Sequence, residues 1–173
     1  LHIARLIEDT PTSRIRSAAQ GYVELAGRCR PLDGTQNLAP LTQRPCVWWS
    51  YRIQQKAESG PSGKRRQSWR TVSSGRSEQP FLLDDGTGEC IVQPGGAEVL
   101  TSERTTWYGD APWPTQAPGV GNRLGGAGYR YFEERIYEHE QVYALGQFRT
   151  HSAAGQRDLA VELGEAYRDY RTR

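Results

Sequence analysis

Methionine is missing from all 173 residues, and the chain also lacks any C-x-x-C pair and any long apolar run. Each absence closes something off. No segment approaches the roughly 18 consecutive apolar residues of a membrane-crossing helix, so no part of this chain is expected to span a bilayer. Without a methionine, and with Leu1 starting mid-pattern, residue 1 is expected to open a fragment or a processed domain. No secretory leader is visible, although a trimmed chain would have lost one. Cys29, Cys46 and Cys90 stand alone, as do His2, His139 and His151. A structural zinc site therefore lacks its usual ligand spacing, and neither a metal nor a cofactor is expected. Single buried cysteines in strands are the simpler reading. An excess charge is missing too: 22 Lys and Arg against 20 Asp and Glu leave a formal +2, and no global field demands a nucleic acid or a membrane.

What is present is glycine, proline and aromatic residues, the composition of many turns and short strands. Residues 9 to 19, DTPTSRIRSAA, read as a helix start or tight turn, with Thr10 as cap and Pro11 as first helical residue. Gln20 to Arg30 reads as a strand with Val23 and Leu25 on one face. In CVWWSYRIQQ, residues 46 to 55, a period of two puts Val47, Trp49, Tyr51 and Ile53 on the presumed core side. Trp48, Ser50, Arg52 and Gln54 fall on the other. A polar tip follows, and Ser68 to Ser74 is expected to pair back. Residues 95 to 128 break the rhythm with a Pro/Gly-rich insert. YRYFEERIYE and QVYALGQF resume it as two strands joined near His139 and Glu140. From Asp158 to Tyr170 the apolar spacing predicts an amphipathic C-terminal helix. GYVELAGRC and VYALGQF each place a glycine near a strand end, as small barrels need where strands bend. The expected fold is mainly β: an OB-like Greek-key barrel over residues 1 to 150, with the insert at 95 to 128 and the helix in 151 to 173.

The run Asp84-Asp85-Gly86-Thr87-Gly88 tests for chemistry. A phosphate cradle needs a helix after the loop, but Glu89 to Val92 reads as strand, and two aspartates repel phosphate. A calcium loop fails on spacing, since position 95, the closing position, is glycine. A hairpin turn between two apolar strands fits both flanks.

Several stretches taken together resemble a known family. DTPTSRIRSAAQGYVEL, PLTQRPCVWWSYRI, PFLLDDGTG and VYALGQF resemble the GIDE, or Beside-a-Membrane, domain. That domain occurs in mitochondrial membrane-anchored RING ubiquitin ligases and in bacterial membrane proteins. The likeness covers about residues 3 to 94 and 129 to 150. It implies a soluble domain beside or between membrane segments that lie outside this chain. A bacterial counterpart is then expected to face the periplasm or another extracytoplasmic space. The family's E3 ubiquitin ligase label belongs to a RING with zinc-binding Cys and His pairs, which this sequence lacks. No catalytic residue carries over.

The candidate binding residues are Arg14, Arg16, Trp48, Trp69 and Arg70. Arg14 and Arg16 suit an acidic partner or a lipid headgroup, or ion pairs with Glu8 or Asp9. Trp48 is an interface anchor if exposed, or a core residue beneath the insert or the terminal helix. Trp69 and Arg70, beside Lys64, Arg65 and Arg66, suit a single-stranded nucleic acid, although a solvated hairpin tip explains the charge as well. The expectation is a non-catalytic, membrane-adjacent binding or scaffold domain that recognises a protein or lipid-associated partner. A single-strand-binding OB-type module and an accessory domain of a ubiquitin-ligase-like transferase are the alternatives.

Overall fold

The computed structural model describes residues 12–60, 66–97, 99, 101, 103–119, 127–151 and 156–161. Their regular structure is almost entirely β-strand, as the sequence predicts. They divide into two compact units. Residues 1–37, 77–100 and 137–173 form the first, and residues 38–76 and 101–136 form the second. The second unit thus consists of two excursions from the chain of the first. A single barrel carrying one irregular insert was the expectation.

In the first unit, β1 (Thr12–Ser13) runs parallel to β2 (Gly21–Pro31), and a 3₁₀ turn at Ile15–Ser17 joins the segments. Along β2 the buried positions alternate through Val23, Leu25, Gly27 and Cys29, the two-residue period of a strand with one face inward. β5 (Phe81–Asp84) and β6 (Glu89–Gln93) form the expected hairpin. β9 (Gln141–His151) pairs along residues 21 to 28 of β2, and β5 pairs with residues 28 to 31 on the other edge. β10 (Gln156–Val161) is antiparallel to β9 and parallel to β6. The order β2-β5-β6-β10-β9 therefore returns to β2, and the sheet curls until its pairings close into a ring.

The C-terminal helix is corrected over the residues described. Asp158 to Val161 lie in β10, where Leu159 pairs with Val92 on one side and Phe148 on the other. β6 and β9 each offer this segment a row of backbone partners, and that tertiary demand overrides its helical spacing. Residues 162 to 170 of the expected helix lie outside the described residues, as do Thr10 and Pro11.

The second unit is one antiparallel sheet in the order β4-β3-β8-β7. Its strands are β3 (Trp48–Ser59), β4 (Arg66–Arg76), β7 (Glu103–Gly109) and β8 (Tyr129–Ile136). β7 falls inside the stretch expected to be irregular. The two segments expected as strands around His139 exist as β8 and β9, but they belong to different units and do not pair with each other. One face of this sheet holds Ile53, Trp107 and Tyr131 as a buried cluster, with Leu41, Tyr51 and Tyr129 against it. Tyr131 donates from its hydroxyl to the carbonyl of Ala111 at 2.5 Å. No helix among the described residues is long and apolar enough to cross a membrane.

Candidate functional site

The Asp-Gly run is the turn of the β5–β6 hairpin. Asp84 accepts the Gly86 N–H at 2.7 Å, and Gly86 takes a φ of +81°, a conformation glycine adopts without strain. Gly88 has no such φ, so one glycine does the work expected of two. Asp85 is used more heavily. Its Oδ1 accepts from the Thr87 N–H at 2.8 Å, the Thr87 hydroxyl at 2.7 Å and the Gly88 N–H at 3.1 Å. Its Oδ2 accepts the Ile15 N–H at 2.8 Å, tying the entry segment to the turn. Burial pushes the Asp85 carboxyl up, but these donors outweigh it and hold the group below the usual carboxylate range. Gly27 makes room for the turn: a Cβ there would lie 2.5 Å from the carbonyl oxygen of Asp84.

Arg14 and Arg16 are exposed beside this turn, and the Arg16 N–H donates to the Thr87 hydroxyl at 3.3 Å. Glu8 and Asp9, their candidate ion-pair partners, lie outside the described residues. The same unit has a cleft of about 510 Å³ lined by Arg28, Cys29, Asp84, Asp85, His139 and Gln141. Its polar groups are largely engaged: Arg28 donates to the His139 carbonyl at 2.8 Å, and the Cys29 thiol donates to the Tyr137 carbonyl at 3.1 Å. Burial first, and Glu140 second, push the Cys29 thiol up to about 11, which keeps it mostly protonated at neutral pH. Cys46, in the other unit, is likewise pushed up to about 11, by burial and then by Glu133. No group of three His, Cys, Asp or Glu side chains suited to a metal occurs among the described residues.

The second unit separates its candidate residues. Trp48 is 2% exposed and offers a partner no surface; its indole N–H finds no acceptor among the described residues. Arg70 is exposed and donates to Gln55 at 3.4 Å. Trp69, half-buried, stands at the centre of a larger arrangement. β-Register puts Arg52 opposite Phe132, Gln54 opposite Arg130, and Arg130 opposite Tyr108. These side chains share the face turned away from the Ile53–Trp107–Tyr131 cluster. The Arg52 guanidinium lies 4.8 Å from the centre of the Phe132 ring. Arg130 lies 4.5 Å from the Trp69 ring and 5.3 Å from Phe132. Trp69 and Tyr108 meet with ring centres 6.2 Å apart. Gln54 fixes the geometry, accepting the Arg130 Nε–H at 2.5 Å and donating to Thr71 at 3.2 Å.

The charges on this face are unbalanced. Glu134 is held by Arg104, through Nε at 2.7 Å and through Nη2. Among the described residues no carboxylate pairs with Arg52 or Arg130. Sequence reasoning reached Trp69 but missed Arg52, Tyr108, Arg130 and Phe132. The signal was there as period-two alternation, R-x-F at 130 to 132 and R-x-Q-x-K at 52 to 56. Only the pairing of β3 with β8 shows that these two rows interleave.

The chain is thus made of a curled β unit and a four-stranded one, the latter with a partly exposed face on which Arg52 and Arg130 lie against Phe132 and Trp69. A family model described as GIDE, E3 ubiquitin ligase, matches residues 50–157, more than half of the chain. The chain belongs to that family. The match takes in the whole Pro/Gly-rich stretch at 95 to 128, which the resemblance noted in the sequence left out. No curated protein and no solved structure matches the chain.

Proposed function

We propose that this chain is the recognition domain, and not the transfer catalyst, of a membrane-associated protein in the E3 ubiquitin ligase family. The observation that carries this reading is the face built by Arg52, Phe132, Arg130 and Trp69. Two guanidinium groups are held there on aromatic rings with no carboxylate to neutralise them among the described residues. Such preordered cation–aromatic surfaces suit binding, since little side-chain entropy remains to be lost. Family membership supports a place beside a membrane, with the anchoring segments outside these residues and the domain on an extracytoplasmic side. Protein partners, or lipid-associated ones, fit the charge of the surface.

A single-strand-binding module is the second reading. The five-strand ring is compatible with an OB-like barrel, a fold that often binds single strands. The cleft on that unit carries Arg28 and Arg30, but Arg30 is already paired with Asp33 and Glu89, and Asp84 and Asp85 line the cleft as well and oppose a phosphate backbone.

Two measurements test the main reading. The first is cross-linked capture from native membranes with wild type, Arg14→Glu/Arg16→Glu and Arg52→Glu/Arg130→Glu. The expected result is a partner held by wild type and lost in one of the two variants. The second is ubiquitin transfer by the chain with activating and conjugating enzymes present. Transfer above background would overturn the reading. Salt-sensitive binding of oligo-dT, with no captured protein, would favour the second reading instead.

A further inference from the structure

The recognition reading leaves the chemistry of the partner open, and the geometry points to it. Resting on that reading, we infer that the Arg52–Phe132–Arg130–Trp69 face binds an extended acidic segment of a protein, taking side-chain carboxylates on the guanidinium edges.

A guanidinium held beside a ring keeps its N–H donors in its own plane, along its edge. That edge matches a carboxylate, which accepts two parallel hydrogen bonds. Arg130 has its Nε–H committed to Gln54, and its remaining N–H groups have no acceptor among the described residues. Arg52 is exposed, with its guanidinium over Phe132. The charge balance of the face is positive. Arg52 and Arg130 pair with no carboxylate among the described residues, Lys56 and Arg76 lie on the same side of the sheet against the single carboxylate of Glu58, and Glu134 is already taken by Arg104.

The spacing suits an extended chain. Arg52 and Arg130 are diagonal neighbours on adjacent strands, and such neighbours stand about 7–8 Å apart. Alternate side chains of an extended peptide repeat at about 6.6–6.8 Å. Two acidic residues separated by one residue therefore meet both arginines.

The same stacking disfavours a nucleic acid. Base recognition without sequence preference uses open ring faces. Here Arg130 lies over Trp69, and Arg52 and Arg130 both approach Phe132. A bilayer fits less well too, since Trp69, Tyr108 and Phe132 are half-buried in the sheet face and do not project as an anchor would.

The test uses the whole chain and a fluorescent peptide of alternating Glu and Thr, read by anisotropy. Competing probes are the Gln-Thr peptide of equal length, oligo-dT of equal charge, and phosphatidylcholine vesicles with and without phosphatidylserine. The expected result is salt-sensitive binding of the Glu peptide and none of the Gln peptide. Arg52→Glu and Arg130→Glu each weaken it about tenfold or more. Arg104→Gln together with Glu134→Gln, which removes a pair already neutral, changes it less than about threefold. The Arg52→Glu/Arg130→Glu double variant, its melting transition retained, gains affinity for a Lys-Thr peptide. That gain separates lost recognition from lost folding. Tighter binding of oligo-dT than of the Glu peptide overturns the inference, as does vesicle binding that the peptide does not displace. Membrane capture that persists in the double variant, with no peptide binding by wild type, also overturns it while leaving the recognition reading in place. Ubiquitin transfer by the chain would count against that reading and not against the peptide measurement.

Discussion

Arg130 and Arg135 sit on one strand, five residues apart, and live under opposite rules. Arg135 faces inward, with a side chain 1% exposed, and donates to the equally buried Glu133 at 2.6 Å and to the Thr105 hydroxyl. Glu133 in turn accepts the Leu41 N–H at 2.6 Å, the Thr42 N–H at 3.3 Å and the Thr42 hydroxyl. The inward pair is thus a clamp that fastens the loop before β3 to the sheet. Arg130 faces the other way and is held by rings and one amide, with its charge left for something else. A buried charge must be satisfied at home because its desolvation costs several kcal/mol. A half-exposed one is excused that demand, and so can be kept for a partner. The alternation of a β-strand separates an inward pair of charges from an outward, half-exposed one within one run, R-Y-F-E-E-R.

The most severe way to break this comparison is Glu133→Ala. It leaves Arg135 charged, buried and without its carboxylate, and it strips acceptors from Leu41 and Thr42. The expected loss is about 3–5 kcal/mol in urea unfolding. Replacing both partners, Glu133→Leu with Arg135→Met, is expected to recover only part of that loss: it removes the unpaired buried charge, but the Leu41 N–H and Thr42 still lose their acceptor. If the double replacement is as unstable as the single one, the pair is needed to hold the loop and not merely tolerated.

The next effect is a rate. Cys46 shares the buried side of this unit and feels Glu133; Cys29 sits in the other unit. Both thiols are pushed up to about 11 from an ordinary 9.0, so their thiolate fraction at neutral pH falls ~100-fold. Iodoacetamide is expected to spare them in the folded chain and to label them in urea, with peptide mapping as the readout. Rapid labelling of Cys46 in the folded Glu133→Ala variant would show that the clamp keeps this region closed.

Asp85 carries the comparison to a carboxylate without a cation. Its partners are neutral N–H and O–H donors. Asp85→Ala is expected to cost about 1–3 kcal/mol, the scale of several lost hydrogen bonds to a charged group. The sign of its pH dependence follows from a folded pKa held below the unfolded one. The contribution is complete above the ordinary carboxylate range and is lost as pH falls through that range to the folded value. The stability gap between wild type and Asp85→Ala should therefore be flat near neutrality and shrink in acid. A gap that widens in acid would contradict the assignment.

How much of this was legible in the sequence depended on how local each signal was. The β5–β6 hairpin and β2 could be read directly, because a turn motif and a two-residue period are set within a few residues. The inward side of β3 was half legible. Ile53 is buried as its period implies, but Trp48, on the opposite phase, is buried as well at the start of the strand. β10 was misread because Asp158 to Val161 are decided by partners far along the chain, Ile91 to Gln93 and Gly146 to Arg149. The split into two units was not visible for the same reason. The candidate site shows the limit most clearly. Trp69 stood out beside a basic run, but Arg130 and Phe132 looked like an ordinary strand until β3 and β4 placed Arg52 and Trp69 against them.

The smallest effect is the sharpest form of the comparison. Arg130→Gln removes a charge from the same strand as the clamp, five residues from Arg135. If the charge were structural, its loss would resemble that of Glu133. The stacked position predicts otherwise, since a cation–π contact at a partly exposed site contributes only about 0.5–1 kcal/mol. The carboxamide introduced by the substitution also keeps a donor for Gln54. The melting midpoint should move by a few degrees at most, roughly 2–4 °C per kcal/mol for a chain of this size. Binding of the alternating Glu-Thr peptide should nevertheless fall about tenfold. A large loss of stability would place Arg130 with Arg135 among the charges that hold the sheet. A small loss of stability with a large loss of binding is what a charge reserved for a partner requires, since stability and recognition are then carried by opposite faces of one strand.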